Sequence, residues 1–262
     1  MDSKKIIDYT RTYRRLKADR KKCAVYIAVL AIIAVLLVLL FIGDLTGVVS
    51  EFCKITLKKI DPSMQVGIKS ETYKILGTIS YVTAGTKFPK ISLCLINAGC
   101  ALFVILFNVG MPFCKGRPFS IYLIMTGAIH LINSIWFIFG GKFFPYTTTD
   151  YSKLYIFQEV GIWIMFFLMT IFITGIIGNK GMLAKVITLI AVMTYSIVFG
   201  AVRYVVFIYL LYRYSVIYMT LFYFMIGPMF DFLYLVMIYA IFVNRIIKIY
   251  DSRDGKEEWA WS

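Results

Sequence analysis

Val25–Ile42 reads VYIAVLAIIAVLLVLLFI, 18 residues in which the Tyr26 hydroxyl is the only polar side-chain group. A helix rising 1.5 Å per residue needs about 20 such residues to cross a hydrocarbon core of ~30 Å. The stretch is therefore read as a membrane-spanning helix. Its apolar region is too long for a signal peptide, and Gly43-Asp44-Leu45-Thr46 offers no small-residue cleavage site behind it. Working outward, similar runs follow at Ile91–Gly110, Phe119–Phe139, Tyr155–Ile177, Val186–Leu211 and Pro228–Ile247. The expected fold class is all-α, a polytopic integral membrane protein of six transmembrane helices.

Composition supports this. Of 262 residues, 60% are hydrophobic and 16% charged, with a mean hydropathy of +0.80. A soluble domain has roughly 45–50% apolar and about 25% charged residues, so cytosolic enzyme, disordered chain and disulfide-rich secreted domain are excluded. In such a chain the formal charge of +14 describes topology rather than affinity for nucleic acid, and the lipid bilayer is the first partner. Cys23, Cys53, Cys94, Cys100 and Cys114 have no metal-ligand spacing and read as small apolar residues. No metal or other cofactor is expected.

Nine basic residues stand against three acids before the first span. The positive-inside rule places this tail in the cytoplasm, and six crossings return the C-terminus to the same side. On this topology 17 basic residues lie inside and ten outside, seven of the ten in residues 44–90. The organisation read from the sequence is a basic cytoplasmic tail (1–24), an N-terminal membrane region (25–140) with an extracytoplasmic segment (44–90), a membrane core (141–247) and a cytoplasmic tail (248–262). Ile6, Tyr9, Tyr13 and Leu16 have the spacing of an amphipathic helix on the anionic inner leaflet, although a solvated tail explains the same residues. In the outer segment Val48, Phe52, Ile55 and Ile60 alternate with Glu51, Lys54, Lys58 and Lys59 as in an interfacial helix ending at Asp61-Pro62-Ser63, and Glu71 to Tyr81 reads as a second amphipathic piece.

Ionisable residues inside the spans carry the functional information, because a central Asp, Lys or Arg costs about 2.5–3.5 kcal/mol even on insertion-derived scales. Counting along each helix from its inner end puts Glu159 about 27 Å up, Arg203 about 28 Å and Asp231 about 24 Å. Three consecutive helices thus bring two acids and an arginine to one depth in the outer third of the bilayer. Two readings follow: an interhelical ion pair that fixes helix register, or an outward pocket in which the guanidinium orients a carboxylate or binds an anionic group. His130, the only histidine, reads as a helix-packing residue, and Asn97, Asn108 and Asn133 as interhelical hydrogen-bonding groups. Cys53 and Cys94 are the outward-lying thiols, with no histidine at that height to activate them.

Residues Asp150 to Arg245 carry a resemblance. Tyr155-Ile156-Phe157-Gln158-Glu159-Val160-Gly161-Ile162 resembles the approach to the cysteine motif of the exosortase and archaeosortase family. Phe199-Gly200-Ala201-Val202-Arg203-Tyr204 is similar to that family's arginine segment, and Met229-Phe230-Asp231-Phe232-Leu233 falls where its histidine segment would be. The resemblance implies an exosortase-like membrane fold of the bacterial plasma membrane, acting at the outer face on surface proteins. In Gram-positive bacteria it further implies a place among surface-polymer components. Glu159 stands at the cysteine position and Asp231 at the histidine position, so thiol chemistry is not implied.

The resulting expectation is a cell-envelope membrane protein that acts on or binds a surface protein or exopolysaccharide. Catalytic candidates are Glu159 as base or nucleophile, Arg203 as electrostatic stabiliser and Asp231 as second acid or orienter of the arginine. The alternatives are a non-catalytic subunit or scaffold contacting another envelope membrane protein, and a small-molecule transporter. Against the transporter stands the lack of repeated broken helices in the sequence.

Overall fold

The computed structural model describes residues 14–16, 20–111, 116–176, 182–251 and 259–261, with side chains for 21–111, 116–176 and 182–248. It is 82% helical, with six helices long and apolar enough to cross a membrane. They are α1 (Arg20–Ile60), α2 (Ile91–Gly110), α3 (Pro118–Gly140), α4 (Thr148–Ile176), α5 (Met182–Arg213) and a composite last span. The last span opens with a 3-10 turn (Val216–Tyr218), a single α-turn α6 (Met219–Leu221) and a π-turn (Phe222–Ile226), then continues as α7 (Gly227–Asp251). Large side chains such as Leu40, Phe103 and Phe139 are 74, 68 and 84% exposed, as expected of a surface that meets lipid rather than water. Of the amphipathic tail pattern, Ile6, Tyr9 and Tyr13 lie outside the described residues. Leu16 falls in a three-residue strand, β1 (Arg14–Leu16), paired antiparallel with β4 (Trp259–Trp261).

Two expectations for the outer segment are corrected. Val48–Ile60 is not a separate interfacial helix but the continuation of α1, which runs unbroken for 41 residues. Glu71 to Tyr81 is not helical either. It belongs to an antiparallel hairpin of β2 (Val66–Tyr73) and β3 (Gly77–Ala84). Ile79 and Tyr81, two apart, are both buried, a period-two pattern in a stretch rich in β-branched and aromatic residues. Lys74, Ile75 and Leu76 form the turn and Gly77 closes it at φ +72°, a left-handed conformation open to glycine without steric cost.

The chain divides into two compact units. One comprises 1–38, 163–194 and 234–262; the other comprises 39–162 and 195–233. In the first, Tyr26 Oη lies 3.4 Å from Thr174 Oγ1 and the Lys185 ammonium lies 5.0 Å from the Tyr26 ring centroid. Gly175 makes this packing possible, since a Cβ there would strike Ile27.

The second unit holds the hairpin and Glu159, Arg203 and Asp231. Three outward N–H groups of β3 are met by hydroxyls from three different helices. Ser80 N donates to Thr46 Oγ1 of α1 (3.3 Å), Val82 N to the Tyr204 hydroxyl of α5 (2.9 Å) and Ala84 N to Thr149 Oγ1 of α4 (3.4 Å). A sheet edge buried against helices needs such partners for its backbone donors. Tyr204 also hydrogen-bonds Ser152 and is fully buried. Tyr204→Phe therefore leaves Val82 N–H without its acceptor and is expected to cost about 1–3 kcal/mol. Thermal melting of the detergent-solubilised protein and faster hydrogen exchange at the Val82 amide check this.

The three asparagines join helices as expected. Asn97 Oδ1 accepts from Tyr218 Oη (3.1 Å) and Asn108 Oδ1 from Ser120 Oγ (2.8 Å), while Asn133 Nδ2 donates to the Ile217 carbonyl. His130 stacks on Tyr218 with ring centroids 5.5 Å apart, a packing role. Cys53 and Cys94 are buried, whereas Cys100 is exposed and Cys23 half-exposed; Cys114 lies outside the described residues.

Candidate functional site

Each ionisable side chain of the cluster is set by its own helix. Glu159 is in α4, one turn after Tyr155. Arg203 is in α5, one turn after Gly200. Asp231 is in the first turns of α7, four residues after Gly227. Spacings of three or four residues put each pair on one helical face, so three helices supply six positions to one point.

The geometry centres on the guanidinium. Arg203 Nε donates to Tyr155 Oη (2.9 Å), Nη1 to Asp231 Oδ1 (2.8 Å) and to the Gly227 carbonyl (2.8 Å), and Nη2 to Glu159 Oε1. Tyr155 in turn donates to the Gly200 carbonyl (2.9 Å). Its ring stacks on Tyr204 at 5.0 Å and 5°, and the Arg203 Cζ lies 5.5 Å from its centroid. Glu159, Arg203 and Asp231 are 2, 5 and 4% exposed. One guanidinium faces two carboxylates, so with all three ionised the group carries a net negative charge away from water.

The last span changes its winding where its Gly227 carbonyl meets Arg203. Pro228 has no N–H to donate to the turn before it, and the Gly227 N–H bonds to the Phe222 carbonyl, five residues back, as a π-turn. α7 then begins at Gly227 with the proline in its first turn, but the span itself starts earlier, at Val216 and not at Pro228 as the sequence predicts, because the π-turn carries the helix into the Gly-Pro pair. Gly200 contributes in another way, by leaving room, because a Cβ there would lie 2.5 Å from Glu159 Oε2. The carboxylate occupies the space that any other residue would fill.

The sequence points to Glu159, Arg203 and Asp231, and the structure brings all three together. It does not single out Tyr155, Gly200 or Gly227 as members of the cluster. Their signal is present as helical spacing from each ionisable residue, but two of them contribute a backbone carbonyl, which no residue type announces. Cys53 and Cys94 are not part of this cluster. Among the described residues no three His, Cys, Asp or Glu side chains gather as a metal site requires.

A second ionic group lies on the hairpin. Glu71 accepts from Lys153 (2.6 Å), Tyr81 (2.5 Å) and Tyr73 (2.7 Å), and pairs with Lys69 at 3.2 Å. Lys153 first, then the two tyrosines and Lys69, hold the Glu71 carboxyl well below the usual carboxylate range.

The fold and the cluster define an all-α, multi-pass membrane protein with a buried carboxylate–guanidinium–carboxylate centre. Compared with known proteins, the chain matches no family model, no curated protein and no solved structure.

Proposed function

We propose that the chain is an exosortase-like membrane protein of the cell envelope that holds a surface protein or an envelope polysaccharide rather than cutting it, with Glu159, Arg203 and Asp231 acting as a lock between three helices. One observation carries this reading: the guanidinium is already committed through Nε, Nη1 and Nη2 to Tyr155, Asp231, the Gly227 carbonyl and Glu159, and all three ionisable side chains are buried. An arginine so occupied has little left with which to bind an incoming group. The resemblance supplies the envelope setting and the outer-face orientation. The carboxylates at its cysteine and histidine positions agree with a centre that forms no acyl-enzyme, since a carboxylate is a far weaker acyl acceptor than a thiolate.

A second reading is favoured by a specific atom. Glu159 Oε2 has no hydrogen-bond partner among the described residues, as a base awaiting a substrate proton would. Glu159 would then act as base, Arg203 as electrostatic stabiliser and Asp231 as orienter. Glu159→Gln separates the two, because it keeps the shape and an acceptor oxygen for Arg203 but cannot take a proton. At normal membrane levels in cells lacking the native gene, it is expected to restore the native amounts of surface-anchored protein and exopolysaccharide. A membrane-inserted, folded variant that behaves like the deletion overturns the lock and leaves the catalytic reading.

A further inference from the structure

At the hairpin end of the second unit, two depressions open side by side and share Ser63 and Gly85 in their walls. One, of about 770 Å³, lies between the end of α1 and the base of the hairpin and includes Lys58. The other, of about 290 Å³, adds Asp61, Thr86, Lys87, Tyr212 and Arg213. Together they have the size of a small-ligand site.

The charge in this trough is unbalanced. Lys58, Lys87 and Arg213 have no ion-pair partner among the described residues. The one acid, Asp61, is engaged in its own turn, accepting from Ser63 N (3.0 Å) and Ser63 Oγ (2.5 Å) through Oδ1. Part of the positive charge serves the fold. Lys58 lies in the last turn of α1 and Arg213 in that of α5, where each offsets about half a negative charge from the helix dipole. Lys87 Nζ donates to the Arg213 carbonyl (3.0 Å), capping α5. Three cations, one carboxylate and two helix ends of about half a charge each leave roughly one positive charge uncompensated. Neutral donors stand beside it. Tyr212 lines the smaller depression, and Thr86 accepts from Thr148 N through Oγ1, which leaves its O–H free to donate.

We propose that this trough binds a phosphodiester group at the membrane face that carries the hairpin. A phosphodiester carries one negative charge and presents oxygens that a guanidinium fork and an ammonium meet together. The same chemistry occurs in a lipid headgroup and in a free phosphodiester, and the site has room for the alcohol on either side of the phosphorus. It shares no residue with the Glu159–Arg203–Asp231 cluster and does not depend on what that cluster does.

The test uses the full chain in dodecyl maltoside, a detergent without phosphate. Glycerophosphoglycerol, the deacylated headgroup, is titrated by calorimetry, and retention of phosphatidylglycerol added to the micelles is read by native mass spectrometry. The Lys87→Gln/Arg213→Gln double variant is expected to weaken either interaction tenfold or more, since about 1.4 kcal/mol is tenfold. Raised salt should weaken it in the native chain as well. Lys142→Gln, a lysine outside the trough, is expected to bind as the native chain does, and unchanged melting of each variant shows that it is folded. Binding of the soluble diester supports the site and identifies a free headgroup as sufficient; retention of the lipid alone supports it and identifies the lipid as the source. No binding of either probe, or equal binding by the folded double variant, overturns the proposal.

Discussion

Arg203→Ala is expected to destabilise the protein by about 3–5 kcal/mol, the cost of breaking a buried ion pair by removing one partner. The loss is large because the one guanidinium pairs with both Glu159 and Asp231, so removing it takes that charge from two buried carboxylates at once. Tyr155 Oη and the Gly227 carbonyl lose their donor as well. Arg203→Lys should recover little, since a single ammonium cannot meet four acceptors on two helices as a planar fork of fixed geometry does. The measurement is thermal unfolding in detergent together with the amount of protein in the membrane. Glu159→Gln, which removes one of two competing negative charges and keeps an acceptor, should melt much closer to the native chain. Equal losses for the two substitutions would contradict the central place of the arginine.

Gly200→Ala, the smallest change available, is expected to cost roughly 1–3 kcal/mol through overpacking. The added methyl group would meet Glu159 Oε2 at 2.5 Å and Cδ at 3.1 Å, and the carboxylate cannot step aside without leaving Arg203. The cause is separable by a second substitution. In a Glu159→Ala background the carboxylate is gone, and the penalty of Gly200→Ala should fall to near zero, a coupling that a double-mutant cycle reads directly. Persistence of the full penalty would show that Gly200 serves helix packing and not the carboxylate.

Hydropathy makes the six spans legible, because a bilayer imposes one length and one polarity on every crossing segment. That Glu159, Arg203 and Asp231 stand level with one another is legible for a related reason: helical rise converts residue number into height. What cannot be read is lateral. Tyr155 and Gly200 look like any other residues of an apolar helix, and the Gly227 carbonyl joins the cluster beside a π-turn that the Gly-Pro pair announces only as a boundary. The hairpin departs from the helical expectation because Glu71 to Tyr81 mixes polar and apolar residues in a way that fits a helix loosely and a strand better. Its β-branched and aromatic content, with Ile79 and Tyr81 on one face, is the more telling signal. Likewise, the apolar stripe of Val48, Phe52 and Ile55 is helical as expected, but nothing at Gly43 or Gly47 stops α1 from continuing through them.

The hairpin has a further consequence through its two margins. The outer N–H groups of β3 at Ser80, Val82 and Ala84 are satisfied by Thr46, Tyr204 and Thr149, so no other chain can extend the sheet on that side. In this hairpin the remaining margin on which another strand can register is that of β2. Endless side-by-side growth requires two complementary margins on every copy. A hairpin with one sealed margin is a terminator: strand pairing through β2, whether with a second copy or a foreign segment, stops after a single join instead of propagating through the hairpin.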